Sequence, residues 1–231
     1  MKNAPKGEQD AGHPEPDELL LEVRKERVDQ VIGLRTRTLT VVLDRLEDSF
    51  NMAAVLRTCE AMGLQELHVI PRPDVPFSPH AKVTQGCEKW IDVIRHDTFA
   101  ACRAHLKSLG FSIWVSAQRT DARSLFSLKF DSRMALVFGN ERFGVSPEAL
   151  AEAEGVFWLP LRGFTQSLNV SAAVSASLSW AIHWREQRLG SQGDLTAEES
   201  GSLSRRFYEL SVKQRGRIYR DSPNRSDDKT R

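Results

Sequence analysis

Between residues 38 and 188, short apolar or β-branched runs alternate with stretches of helical spacing, and this alternation is the tightest constraint on the fold. TLTVVL (38–43), ELHVI (66–70), WIDVI (90–94), FSIWVS (111–116), ALVFG (135–139) and GVFWLP (155–160) read as strands. NMAAVLRTCEAMG (51–63) has apolar residues at helical spacing and a glycine stop, and DTFAACRAHLKSLG (97–110) reads as a helix capped by Asp97 and ended by Gly110. SPEALAEA (146–153) opens with a serine cap and a proline at the first helical position. Over 169–188, Val170, Val174, Leu178 and Ile182 recur every four residues, as one buried helix face does. Residues 71–89 read as a polar loop with a short helix. Strands that alternate with helices predict an α/β fold on a largely parallel sheet.

The flanks differ in kind from this core. Residues 1–18 are rich in proline, glycine and acid and are expected to be a disordered tail. Residues 19–37 form an N-terminal extension in which Leu20, Val23, Val28 and Val31 can line a short helix. Residues 189–231 form a basic C-terminal extension with a helix near 196–220, outside the sheet. Net charge is only +1, but residues 201–231 carry nine Lys/Arg against four Asp/Glu, and residues 1–31 carry five against eight. The basic end suits a polyanion, and plain solvation accounts for it equally well. Three scattered cysteines (Cys59, Cys87, Cys102) exclude a disulfide framework and fit a reducing compartment. The six histidines show no H-x-x-x-H or Cys/His grouping, so no metal is expected. No apolar run approaches a membrane span and the N-terminus lacks a signal-peptide core, so a cytoplasmic location is expected.

In open α/β sheets, ligands gather where the chain leaves the C-terminal ends of strands. Three such exits carry polar residues beyond what a turn needs. In DRLEDSFNMAAVLRT (44–58), Asn51 and Arg57 lie six apart, about 600° on a helix, and share no face. With Asn51 as the helix cap, it lies outside the regular turns and points toward the ligand end. An ordinary cap and a surface arginine would account for the same pattern. In FGNERFGVSPE (138–148), two glycines flank Asn140, Glu141 and Arg142, and glycine lets backbone approach a ligand. This is neither G-x-G-x-x-G nor a P-loop, which argues against a dinucleotide oxidoreductase and an NTPase. In LPLRGFTQSLNVS (159–171), backbone groups between two apolar elements can meet the edge of an adenine, with Leu159, Leu161 and Leu168 as an apolar wall. Ser167 or Asn169 also suffices as a plain helix cap.

Together, Asn51-x-x-Ala54-x-x-Arg57, Phe138-Gly139-Asn140-Glu141-x-x-Gly144 and Leu159-Pro160-x-x-Gly163-x-x-x-Ser167-Leu168-Asn169-Val170-Ser171 resemble the three motifs of the SpoU/TrmH-type RNA 2′-O-methyltransferases of the SPOUT superfamily. The resemblance covers about residues 36–188, and the third motif is the most specific. It implies a SPOUT-type parallel sheet flanked by helices, with a C-terminal deep trefoil knot that binds S-adenosylmethionine in a bent shape. It also implies a homodimer with the two knots packed together. Carried onto this sequence, the cofactor's adenosine would contact Ser116 or Ala117, Gly139, Leu159 and Leu168, mainly through main-chain groups. Arg57 aligns with the family's catalytic arginine and Asn51 with the asparagine beside it. Glu141, Ser167 and Asn169 align with residues that support the active site.

The implied reaction moves a methyl from a sulfonium to a ribose 2′-OH. An arginine is normally too basic to be found neutral. Two roles for Arg57 therefore stay open: proton transfer shared with a substrate phosphate, or a charged clamp on that phosphate that stabilises the developing alkoxide. RNA binding needs phosphate contacts. The basic candidates are Arg35, Arg37 and Arg162, and in the C-terminal extension Arg205, Arg206, Lys213, Arg215, Arg217 and Arg220. Within the family that the sequence resembles, the two extensions and a segment before Thr38 too short and polar for a separate RNA-binding domain imply guanosine 18 of tRNA as the target. Ribosomal RNA remains the nearest alternative substrate, and a non-catalytic RNA-binding protein of the same fold is a third possibility.

Overall fold

The computed structural model describes residues 22–190 and 193–221, with side chains through residue 212. The expected tail at 1–18 lies outside the described residues, as does Leu20. The seven strands are β1 (Leu39–Asp44), β2 (Glu66–Ile70), β3 (Asp92–Arg95), β4 (Ser112–Ser116), β5 (Arg123–Ser124), β6 (Met134–Gly139) and β7 (Gly155–Trp158). They form one sheet in the order β3-β2-β1-β6-β4-β7-β5, and every pairing is parallel. Central β1 reads LTVVLD and is buried at all six positions, as a strand covered on both faces must be.

Period-two alternation sorts the strands' side chains between two helical layers. Leu39, Val41, Leu43, Leu67, Val69, Leu136 and Phe138 face α2 (Ser49–Ala61) and α6 (Val170–Leu189). Val42, Ile70, Ile113, Val115, Ala135 and Val137 face α4 (Phe99–Ser108) and α5 (Pro147–Glu152). A short α3 (Ala81–Thr84) and a 3₁₀ turn at Cys87–Lys89 fill the polar segment between β2 and β3. The N-terminal helix α1 (Glu22–Gly33) and the C-terminal α7 (Ala197–Asp221) pair outside the sheet through Val28, Ile32, Leu203 and Phe207.

Three local expectations need correction. Thr98, not Asp97, caps α4, its hydroxyl accepting from Ala101 N–H. Asp48, not Asn51, caps α2, so Asn51 sits inside the first turn. In α1, Val28 and Ile32 are buried, whereas Val23 is 77% exposed. Ser146 and Asn169 do cap α5 and α6 as their sequence positions predict.

One topological feature matters for the site. β4 and β5 are consecutive in the chain, yet β7 lies between them in the sheet. β7 therefore pairs with both β4 and β5, and the chain leaves it beside the C-terminal end of β4.

Candidate active site

A cleft of about 570 Å³ opens at the C-terminal ends of β4, β6 and β7. Ser116 and Ala117 line it from the end of β4, Gly139 from the end of β6, and Leu159 from the exit of β7. Ser167 and Leu168 close it from the approach to α6, and Glu141 stands on the β6 side. All four sequence-predicted cofactor residues thus share one cavity wall with two of the five residues assigned to chemistry.

The β6 side is a tight turn. Asn140 and Gly144 exchange backbone hydrogen bonds of 2.9 and 2.8 Å. The Asn140 side chain accepts from the N–H groups of Arg142 and Phe143 and donates to the Arg45 carbonyl. Gly144 needs its glycine because its φ is +70°. Gly139 needs its own for space: a Cβ there would lie 2.2 Å from Gly144 C and Val145 N. Opposite, the Gln118 side-chain amide donates to the Gln166 carbonyl and fastens the last loop to the exit of β4.

At the rim, three predicted residues from distant parts of the chain are joined. Asn51 Nδ2 donates to Glu141 Oε1, and Asn169 Nδ2 donates to Asn51 Oδ1 at 2.9 Å. Asp48 makes this geometry: by capping α2 it fixes Asn51 in the first helical turn, facing the cleft's edge. Arg57 lies further along α2, exposed and outside the cleft lining, and donates to the Val83 carbonyl at 3.4 Å.

The basic candidates divide sharply. Arg35 is corrected: only 1% exposed, it pairs with Glu60 at 2.7 Å, donates to the Leu64 carbonyl and lies 5.7 Å over the Phe207 ring. Burial holds its pKa below the ordinary arginine value, and the charge and hydrogen bond of Glu60 offset part of that. It is a strut between the α1/α7 pair and α2, and its burial keeps it from a phosphate at the surface. Arg37 is largely committed to Glu66, Asp92 and Glu199, and Arg206 pairs with Asp92 at 2.6 Å. Arg162 and Arg205 are exposed. The side chains of Lys213, Arg215, Arg217 and Arg220 lie outside the described residues.

Sequence reasoning passed over the aromatic rings beside this site. Phe50, 55% exposed and next to Asn51, stacks on His80 with ring centroids 4.4 Å apart. Phe143 and Phe164, at 70% and 108% exposure, stand on the two loops that border the cleft. A phenylalanine inside a motif whose flanking residues are polar was the available signal.

A parallel α/β sheet with a cleft at its strands' C-terminal ends, and a last strand set between two earlier ones, defines a narrow class. The chain belongs to the SpoU rRNA Methylase family, whose model matches residues 38–179. It is 37% identical over 158 residues to the tRNA (guanosine(18)-2'-O)-methyltransferase of Thermus thermophilus, covering 68% of this chain and 80% of that one. The protein of the same name from Borreliella burgdorferi is 33% identical over 190 residues, covering 82% and 86%. The crystal structure of the A. aeolicus TrmH/SpoU tRNA modifying enzyme superposes with a TM-score of 0.75 at 28% identity, covering 83% of this chain and 98% of that one.

Proposed function

We propose that the protein methylates the ribose 2′-OH of guanosine 18 in tRNA, using S-adenosylmethionine. One observation carries the reading: the hydrogen-bonded chain Glu141–Asn51–Asn169 stands at the rim of the cleft that Ser116, Gly139, Leu159 and Leu168 line. The names of the relatives support the tRNA target over ribosomal RNA. The intact set of Asn51, Arg57, Glu141 and Asn169 favours an enzyme over a non-catalytic RNA binder.

The cleft suits the cofactor. Its volume of about 570 Å³ lies within the usual range for small-molecule sites. Leu159, Leu161 and Leu168 offer apolar walls, and the missing Cβ of Gly139 lets the Gly144–Val145 backbone pack tightly as part of the cleft's β6 side. When bound, S-adenosylmethionine supplies a methyl group already activated on a sulfonium. The protein's work is then alignment and charge. Arg57, exposed on α2, acts as a cation that grips the phosphate beside the target ribose and stabilises negative charge as it develops on the 2′-oxygen. Asn51 and Asn169 hold Glu141 and the start of α6 in fixed relation to the cleft, and Ser167 completes its edge.

The finer architecture belongs to the same reading. The position of β7 between β4 and β5 supports a trefoil knot, in which the last segment passes through the loop that leads from β4 to β6. Exposed Phe143, Phe164 and Leu168 on the cleft loops support a homodimer that covers them. The core 38–188 is the catalytic domain. The exposed Arg162 and Arg205, with the basic C-terminal extension that includes Arg215, supply phosphate contacts. The cytoplasm, where tRNA matures, is the place of action.

The test is methyl transfer from labelled S-adenosylmethionine to an unmodified tRNA transcript carrying either guanosine or 2′-deoxyguanosine at position 18. Incorporation that vanishes with the deoxy nucleotide establishes chemistry and position together. Incorporation that persists moves the target elsewhere in tRNA, and none at all rejects the tRNA assignment.

A further inference from the structure

On the far side of the sheet from α2 and α6, one group of side chains plays no part in the cleft. His68, at the centre of β2, is 0% exposed. Its Nδ1 lies 3.0 Å from Nε2 of His96, just beyond β3. Its Nε2 is buried without a hydrogen-bond partner, and Glu66 Oε2 at 3.8 Å is too far to serve. Cys102, at 0% exposure on α4, completes a set in which one ring nitrogen from each histidine and the sulfur all lie within 4.8 Å of one another. His105, one helical turn on, sets its ring centroid 5.5 Å from that of His68 and 5.4 Å from that of His96. Its Nε2 is likewise buried without a partner.

Buried polar groups left unpaired are costly and few, and here two imidazole nitrogens of one cluster share that state. Imidazole nitrogens with a thiol are the donor set of zinc, which takes four such ligands in tetrahedral geometry. We propose that His68, His96, Cys102 and His105 bind a single zinc-class divalent transition-metal ion. Donors around tetrahedral zinc stand about 3.5 Å apart. Closing the 4.8 Å set of His68, His96 and Cys102 therefore takes side-chain shifts of about 1 Å, and the His105 ring must swing in as the fourth ligand. Half-buried His96 and His105 give the ion a route from solvent. Binding exchanges the Cys102 thiol proton, released to buffer, for a metal–thiolate bond. The ion would staple β2, the exit of β3 and α4. Linear spacing conceals the group because its members come from three separate elements.

The test uses the full chain, stripped with a chelator and titrated with Co²⁺ as a spectroscopic stand-in, with Zn²⁺-dependent melting measured in parallel. The expected result is one Co²⁺ per chain with thiolate-to-cobalt charge-transfer absorption, and a Tm that climbs with Zn²⁺ concentration. Cys102→Ser should lose the charge-transfer band. His96→Gln, at a half-buried position where the fold tolerates change, should weaken metal affinity at least tenfold. A titration with no thiolate band and no Tm response overturns the proposal and leaves a packed histidine cluster. A band and Tm rise that survive in both variants also overturn it, by moving the metal elsewhere, for instance to Cys87.

Discussion

Asn169 donates its side-chain amide to Asn51 Oδ1 at 2.9 Å, joining the first turns of two helices whose partners lie 118 positions apart. The same side chain accepts from the Ser171 N–H and hydroxyl at 2.9 and 2.6 Å, capping α6. One residue therefore both starts a helix and anchors the rim of the cleft. Asn169→Ser separates the roles, because serine keeps a cap acceptor but cannot reach Asn51. Its stability in urea should stay within about 0.5 kcal/mol of the parent, whereas Asn169→Ala should lose about 1 kcal/mol. Single-turnover methylation should fall at least tenfold in both. A parental rate in the serine variant would remove the Asn51 link from the mechanism.

Arg57→Ala is expected to lower turnover by a factor on the order of 10²–10³ or more, as loss of a main charge-stabilising donor does. Cofactor affinity measured by calorimetry should hardly change, since Arg57 lies outside the cleft lining. Arg57→Lys should also be poor, because an ammonium cannot reproduce a bidentate grip on phosphate. Strong residual methylation by the alanine variant would defeat both roles considered for this arginine.

Gly139→Ala introduces a methyl 2.2 Å from the backbone of Gly144 and Val145, which cannot yield as a side chain tip would. The turn at 140–144 must shift, at a cost of about 1–3 kcal/mol. Cofactor affinity should drop with it, because that turn is one wall of the cleft. Thermal melting with and without S-adenosylmethionine checks both effects, and a parental ligand-induced Tm shift would contradict the assignment of that wall.

Arg35 and Arg205 should behave in opposite ways. Arg35→Met leaves Glu60 on α2 without its partner and removes the strut to the α1/α7 pair, which should cost about 3 kcal/mol. The RNA affinity of the folded protein should not follow. Arg205→Ala, and likewise Arg162→Ala, should leave stability within about 0.5 kcal/mol. Each should reduce the slope of log K against log salt by about 1 if it contacts a phosphate. Filter binding across a salt series, beside urea melts, distinguishes a strut from a contact.

The sequence showed most where physics is local or the burial is symmetric. β1 and β6 are nearly continuous apolar runs because both sheet faces are covered, and their bounds, like those of β2, were legible to within a residue. Caps were harder wherever two candidates adjoin, as with Asp97 and Thr98, since either can bond the first turn. Two-residue β5 has no periodicity to read and exists only because β7 lies beside it. The residues of the cleft could be named from motif resemblance, but Asp48 as the cap that turns Asn51 toward Glu141 could not. Arg35 misled because a lone arginine before a strand looks like surface. Its burial depends on Phe207, 172 positions later, and on the pairing of α1 with α7.

β7 is the last of the seven strands in the chain, yet its place in the sheet lies between two earlier ones. β5 pairs with β7 alone, so residues 123–124 have no strand partner until residues 155–158 have been made. Making that pairing is a long-range event of the kind that sets slow folding steps. Leu159, Ser167 and Leu168 all follow β7 in the chain, so a translation product cut short before them lacks one whole wall of the cleft.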